Sequence, residues 1–321
     1  MFDVIFLGTS ASAPSIHRGL PAQAVIAGEY RFLVDCGEGT QRQILRSGIG
    51  FKKLTRVLLT HGHLDHILGL GGLVSTFVHW ESIEELEIYG GKSALDRVQA
   101  LLYDVVLPGV QVPMPLHLVD LKPGTFIEAK DFTVSAFPVT HRGSGNYGFI
   151  FQERARSPFL VEKAQALGVP AGPERGLLVK GETITLADGR IITPDMVLGD
   201  EMQGIKLVMI GDTSRTDNVQ EYVAGADALV IESTFLEVEN EVARAYGHIT
   251  AKQAATLARD AGVKTLILTH VSRRYRERDI FDEAQSIFPN TFVARDLEHY
   301  AIYRDKPVEK HSSWGEDESN E

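Results

Sequence analysis

Short apolar segments bounded by glycine recur along the chain, and their β-branched content predicts strands at Val4–Leu7, Ala24–Ile26, Arg31–Val34, Val57–Thr60, Glu87–Tyr89, Thr133–Pro138, Gly148–Gln152, Leu207–Ile210, Ala228–Ile231, Thr265–Thr269 and Thr291–Ala294. Between them, segments with helical spacing, several opened by Ser, Thr or Asp, predict helices at Gly39–Ser47, Ser93–Tyr103, Asp217–Ala224, Thr250–Ala261 and Arg278–Phe288. Strands and helices interleaved in this way predict an α/β architecture in which helices cover layered sheets. Glu153–Gly199 breaks the rhythm: Pro158, Pro170, Gly172, Pro173, Gly176, Gly181, Gly189 and Pro194 crowd a stretch with few long apolar periods. It reads as an inserted arm, the plainer alternative being a surface loop that tolerates insertion.

The 321 residues are 44% hydrophobic and 23% charged, the balance of a globular protein rather than a fibrous or disordered one. Apolar stretches such as Ile67–Leu73 and Ala228–Ile231 fall far short of the roughly 18 residues a membrane span needs, so no membrane association is expected. The opening residues lack a basic segment followed by an apolar one, and the single cysteine, Cys36, cannot close an internal disulfide; the cytoplasm is the expected location. A net charge of −11 argues against a surface coated for non-specific nucleic-acid binding, and DNA is not an expected partner. Asp305–Glu321 holds six acidic and two basic residues and reads as a disordered, solvated tail after a domain spanning 1–304.

The chemistry concentrates at Thr60-His61-Gly62-His63-Leu64-Asp65-His66, directly after an apolar strand. Imidazoles and a carboxylate are the ligands zinc accepts, and four of them at a strand end can divide between two ions. Further candidates follow other apolar strands: His141 after Pro138-Val139-Thr140, Asp212 after Met209-Ile210-Gly211, and His270 after Leu268-Thr269. Gly69-Leu70-Gly71-Gly72 lacks the lysine and spacing of a phosphate-binding loop and reads instead as a place of close backbone packing.

This order of motifs resembles the metallo-β-lactamase superfamily, which implies an αββα sandwich with a dinuclear metal site at one edge. The resemblance assigns His61, His63 and His141 to one metal, Asp65, His66 and His270 to the other, and Asp212 to the bridge. It implies two zinc ions per subunit, with manganese or another divalent ion the alternative; such a pair would supply hydroxide near neutral pH and clamp phosphoryl oxygens. Asp65 would orient or deprotonate the nucleophile.

Other segments are similar to the ribonuclease Z family of transfer-RNA 3′-processing endonucleases: Phe6–Ala11, Phe32–Gln43, Glu232-Ser233-Thr234-Phe235, Tyr246–Thr250 and Leu268–Tyr275. Pro170–Pro173 and Lys180–Arg190 resemble that family's flexible arm, an exosite that grips the transfer-RNA elbow; Lys180 is a candidate RNA contact, although Glu153–Gly204 carries a formal charge of −2. The resemblance implies precursor tRNA as partner and a homodimer in which one subunit's arm presents RNA to the other's metal site. His248 becomes the candidate general acid for the departing 3′-oxygen, held by Glu232, with helix capping as its plainer role. Arg273, Arg274 and Tyr275 become candidates for phosphate contact and base stacking. The competing readings are a phosphodiesterase acting on small or cyclic nucleotide diesters, and a non-enzymatic, metal-dependent RNA-binding protein.

Overall fold

The computed structural model describes residues 1–80, 83–110, 112–304 and 306–312. In chain order its strands are β1 (Phe2–Gly8), β2 (Ala22–Ala27), β3 (Tyr30–Val34), β4 (Leu54–Leu58), β5 (Leu86–Gly90), β6 (Leu116–Asp120), β7 (Gly124–Glu128), β8 (Phe132–Pro138) and β9 (Tyr147–Glu153). There follow β10 (Ile184–Thr185), β11 (Ile191–Ile192), β12 (Lys206–Met209), β13 (Ala228–Glu232), β14 (Leu266–Thr269), β15 (Thr291–Val293), β16 (His299–Ile302) and β17 (Glu309–His311). Eight form one sheet, in the order β17-β16-β1-β2-β3-β4-β5-β6, and seven a second, β15-β14-β13-β12-β9-β8-β7.

Why the sheets stack is legible in β1, buried along its whole length. Phe2, Val4 and Phe6 point to one face and Ile5 and Leu7 to the other, as the two-residue period of a strand requires. The first face joins Phe32, Val134, Phe149, Phe151, Leu207, Val230 and Tyr300 in a core between the two sheets. Edge-to-face rings tie it together, with Phe151 6.1 Å from Phe2 and 5.3 Å from Phe32. Outside the first sheet, Ile5, Leu7 and Leu33 pack under Ile44, Leu70, Leu73 and Phe77 from helices Thr40–Ser47 and Gly69–Trp80. Outside the second, Val208, Leu229 and Ile231 pack under Ala254, Ala258 and Ile280 from helices Ala251–Asp260 and Glu277–Gln285. The layers are therefore helix, sheet, sheet, helix. Among the described residues no helix is long and apolar enough to cross a membrane.

Several elements depart from the pattern-based expectation. Gly69–Trp80 is helical despite three glycines, because burial of Leu70, Leu73, Val74 and Phe77 outweighs their poor helix propensity. Gly69 has a specific reason to lack a side chain: a Cβ there would lie 2.0 Å from the Gly37 carbonyl oxygen, so backbone does pack closely at this point. Edge strands β6, β7 and β17 carry weak apolar signals and were not expected, nor was the buried strand β16 between β17 and β1. The tail begins later than its charge implies: Glu309–His311 pairs with β16, with Tyr300 opposite Lys310, since backbone pairing to an open edge does not need apolar side chains. Asp305 and residues 313–321 of the expected tail lie outside the described residues.

Glu153–Gly204 is a compact unit of its own. It contains short helices Val161–Ala166, Pro173–Val179 and Pro194–Val197 and the β10–β11 hairpin, around a small core of Ala164, Val169, Leu178, Ile184, Ile192 and Val197. The β10–β11 hairpin is only part of this largely helical unit.

Candidate metal centre

Parallel pairing sets the stage. β3 and β4 run parallel in the first sheet and β12, β13 and β14 in the second, so the residues after Val34, Leu58, Met209, Glu232 and Thr269 emerge at strand carboxyl ends. These ends deliver Asp35, His61, Asp212 and His270, while the segment after β8 delivers His141 and the turn after β4 delivers His63, Asp65 and His66. His61, His63, His141 and Asp212 have donor atoms within 4.8 Å of one another, and so do Asp65, His66 and His270.

Asp212 lies between the groups with one oxygen turned to each. Its Oδ2 is 3.6 Å from His61 Nε2 and 3.7 Å from His141 Nε2; its Oδ1 is 3.5 Å from His66 Nε2 and 3.2 Å from His270 Nε2. Asp65 Oδ2 stands 3.8 Å from the Nε2 atoms of both His66 and His270, and His63 Nδ1 is 3.3 Å from His141 Nε2. Two ligand atoms on one tetrahedral zinc are separated by about 3.3 Å, given zinc–nitrogen bonds of about 2.0–2.1 Å. Among the described residues, buried atoms His61 Nε2, His66 Nε2, His270 Nε2 and Asp212 Oδ1 have no hydrogen-bond partner, a costly arrangement unless a cation binds at the site they share. The residues present therefore fit a divalent-metal site, and half-buried His63 and Asp65 leave it open to solvent.

Each of the four buried imidazoles is oriented through its other nitrogen. His66 Nδ1–H donates to Asp35 Oδ2 at 2.7 Å, and His141 Nδ1–H donates to the Gly247 carbonyl at 2.8 Å. The Thr60 hydroxyl donates to Asp35 at 2.7 Å and therefore accepts from His61 Nδ1–H at 3.0 Å. Thr234 repeats the relay, donating to Glu232 and accepting from His270 Nδ1–H at 2.8 Å. All four Nε2 atoms thereby face the Asp212 carboxylate, where a cation would take their lone pairs and displace any proton they carry. Asp35 (φ 57°) and His270 (φ 55°) hold left-handed backbone conformations unusual for residues other than glycine, strain of the kind that collects at functional sites.

Charge follows the same geometry. Burial, together with the neighbouring His66, pushes His61 well below the ordinary histidine range, and burial with neighbouring histidines lowers His63. Burial also lowers His141. Burial would lower His66 too, but the carboxylates of Asp212 and Asp35 outweigh it and hold the ring protonated well above the usual range. Asp212 and Asp65 are likewise kept ionised against burial by the histidines around them. His248 lies beside this cluster, its Nδ1 3.1 Å from Glu232 Oε1 and 3.9 Å from Asp212 Oδ2. Burial opposes its charge, yet Glu232 and Asp212 raise its pKa to about 9. Fully buried Glu232 also accepts the Thr213 N–H at 2.7 Å, which fixes its carboxylate.

Residues 22–153 match the metallo-β-lactamase superfamily and residues 181–271 the β-lactamase superfamily domain. Over 302 residues the chain is 48% identical to ribonuclease Z of Bradyrhizobium diazoefficiens, covering 94% of this chain and 100% of that one. The chain belongs to the ribonuclease Z family. A second relative, ribonuclease Z of Bradyrhizobium sp. strain ORS 278, is 49% identical with the same coverage. The crystal structure of human tRNase Z, short form, shares the fold at a TM-score of 0.67 and 24% identity, over 94% of this chain and 99% of that one.

Within this ribonuclease Z-family chain, the seven expected ligand residues and His248 with Glu232 come together, and the expected RNA contacts differ in their surroundings. Arg273 is exposed, as is Lys180 at the end of helix Pro173–Val179 in the separate unit. Arg274 is half engaged, 3.2 Å from Glu239 and 5.9 Å from the Phe235 ring. Tyr275 departs from the stacking expectation: its hydroxyl donates to Glu239 and its half-buried ring packs on the core under the second sheet. Sequence reading overlooked Asp35, Thr234 and the Gly247 carbonyl. Asp35 follows an apolar strand just as Asp212 does, and that shared context was the available signal.

Proposed function

We propose that this chain is a metal-dependent endoribonuclease that hydrolyses the phosphodiester joining the 3′ trailer to precursor tRNA and leaves a 3′-hydroxyl on the tRNA. The observation that carries the reading is Asp212 dividing its two oxygens between two histidine groups, beside a His248–Glu232 pair. His61, His63 and His141 would hold one ion, Asp65, His66 and His270 the second, and Asp212 both. Two zinc ions, with manganese or another divalent ion the alternative, would supply Lewis acidity toward phosphoryl oxygens and a hydroxide near neutral pH.

The chain's own residues supply the rest. Asp65, whose Oδ2 accepts the Ser12 N–H at 3.1 Å, would orient the attacking water and take its proton. Glu232 occupies His248 Nδ1, so Nε2 is the nitrogen that would protonate the departing ribose 3′-oxygen. Arg273, Arg274 and Lys180 would meet RNA phosphates. A homodimer in the cytoplasm, with the Glu153–Gly204 unit of one subunit holding tRNA for the other, completes the reading.

The test is incubation of metal-loaded protein with a 3′-extended precursor tRNA, with product ends mapped and His63→Ala as control. A metal-dependent cut leaving a 3′-hydroxyl beside the discriminator base is the expected result. An intact precursor, with a small phosphodiester hydrolysed by the same preparation, would move the substrate to small diesters.

A further inference from the structure

Tyr275 is turned inward, yet another aromatic stands in the open beside the metal centre. Tyr246 is 53% exposed and lies two residues before His248, at the end of helix Asn240–Tyr246, whose capping Gly247 holds His141 through its carbonyl. Its ring stacks on Phe235 at 6.5 Å with planes 16° apart, and Phe235 in turn lies 6.1 Å from the His248 ring. Two guanidiniums lie over these rings: Arg142 is 5.6 Å from the Tyr246 centroid and Arg274 5.9 Å from the Phe235 centroid. Arg142 is exposed and fastened by one hydrogen bond, Nη2 to the Ala245 carbonyl at 2.7 Å. The result is an aromatic row edged by positive charge, leading from solvent to His248 on a chain whose net charge is −11.

An exposed tyrosine does little for folding, since much of its apolar area stays wet. A ring face beside arginines is the chemistry that receives an unpaired nucleotide, the base by stacking and the phosphate by the guanidinium. We propose that Tyr246 and Arg142 form a nucleotide subsite, which rests on the precursor-tRNA reading: the base whose ribose carries the departing 3′-oxygen stacks on Tyr246, and Arg142 contacts the phosphate on its 5′ side. Placement beside His248 selects this nucleotide, because the group that protonates the departing oxygen must adjoin the ribose bearing it. Stacking accepts any base, so the subsite fixes the position of the cut without reading sequence at that nucleotide.

The experiment is a cycle of Tyr246→Leu against a precursor carrying an abasic nucleotide at the position before the cut, with KM and kcat measured on the full-length, metal-loaded protein. Each change alone should raise KM by about 5- to 150-fold, the range of one base–aromatic stack. Together they should raise it no further, and Tyr246→Trp should restore the wild-type value on the intact precursor. In parallel, Arg142→Gln should flatten the dependence of log K on log salt by about 0.7–0.9, the loss of one phosphate contact. Additive effects, or a Tyr246→Leu enzyme equal to wild type on the intact precursor, overturn the subsite alone. A wild-type enzyme that leaves the precursor intact overturns the substrate reading, and the subsite with it.

Discussion

Replacing Asp35 with asparagine is a sharp test of how the metal centre is held. Asparagine tolerates the left-handed backbone that Asp35 adopts (φ 57°), so the turn should persist. What changes is the supply of acceptors. The Thr60 N–H reaches Oδ1 at 2.8 Å, while the Thr60 hydroxyl and His66 Nδ1–H both reach Oδ2 at 2.7 Å. An amide offers one oxygen to these three donors and turns its own NH2 toward at least one of them. Loss of a hydrogen bond to a charged acceptor costs about 1.5–3 kcal/mol, or about 10- to 150-fold in an equilibrium constant. Changes in the residues behind metal ligands weaken metal affinity by about 10–100-fold, the same range reached independently. Zinc affinity of Asp35→Asn should therefore fall by about 10–100-fold, while kcat at saturating zinc falls much less, because no ligand atom is removed. Competition with a chromophoric chelator measures the first quantity, and cleavage of precursor tRNA against free zinc the second. A folded variant with wild-type zinc affinity would refute the claim that Asp35 orients His66 for the metal.

The remaining predictions address the acid, the protons, the backbone and the inserted unit. His248→Ala should lower turnover by roughly 10²–10⁴-fold with metal content intact, and lost metal by elemental analysis would make His248 a structural residue instead. Because the metal-free centre holds His66 protonated above its ordinary range, metal binding at pH 7 must displace that proton, so affinity should rise with pH until His66 loses it unaided. Calorimetry in buffers of different ionisation heat checks this, and no proton release at pH 7 would refute it. Gly247 has φ 77° and a Cβ there would lie 3.4 Å from His141 Nδ1; Gly247→Ala should cost about 1–2 kcal/mol in denaturant titrations and weaken metal binding. Gln152 pairs with Lys206 across antiparallel β9 and β12, so Glu153–Gly204 can be replaced by a short glycine-containing turn. The shortened protein should keep its metal and hydrolyse a small phosphodiester while losing tRNA cleavage; retained tRNA cleavage would remove the exosite role.

Much of this protein is legible in its sequence. Strand-end contexts singled out His61, His63, Asp65, His66, His141, Asp212 and His270 as candidate ligands, because polar side chains at strand ends leave a local mark: an apolar run, then chemistry. The same periodicity located the strands whose two buried faces stack the sheets, since period and composition are local properties. What remained hidden was set by approach in space. The Gly69–Trp80 helix owes its existence to burial over the first sheet, and β17 to an open edge beside β16. Tyr275 and Tyr246 look interchangeable as aromatic residues near a ligand, and only packing turns one onto Glu239 and leaves the other beside Arg142. The hydrogen-bond relays from Asp35, Glu232, Thr60 and Thr234 join residues from several strands, and no spacing along the chain encodes which carboxylate meets which imidazole. Sequence alone determined which residues could bind metal; tertiary structure decided which nitrogen of each imidazole is free to do so.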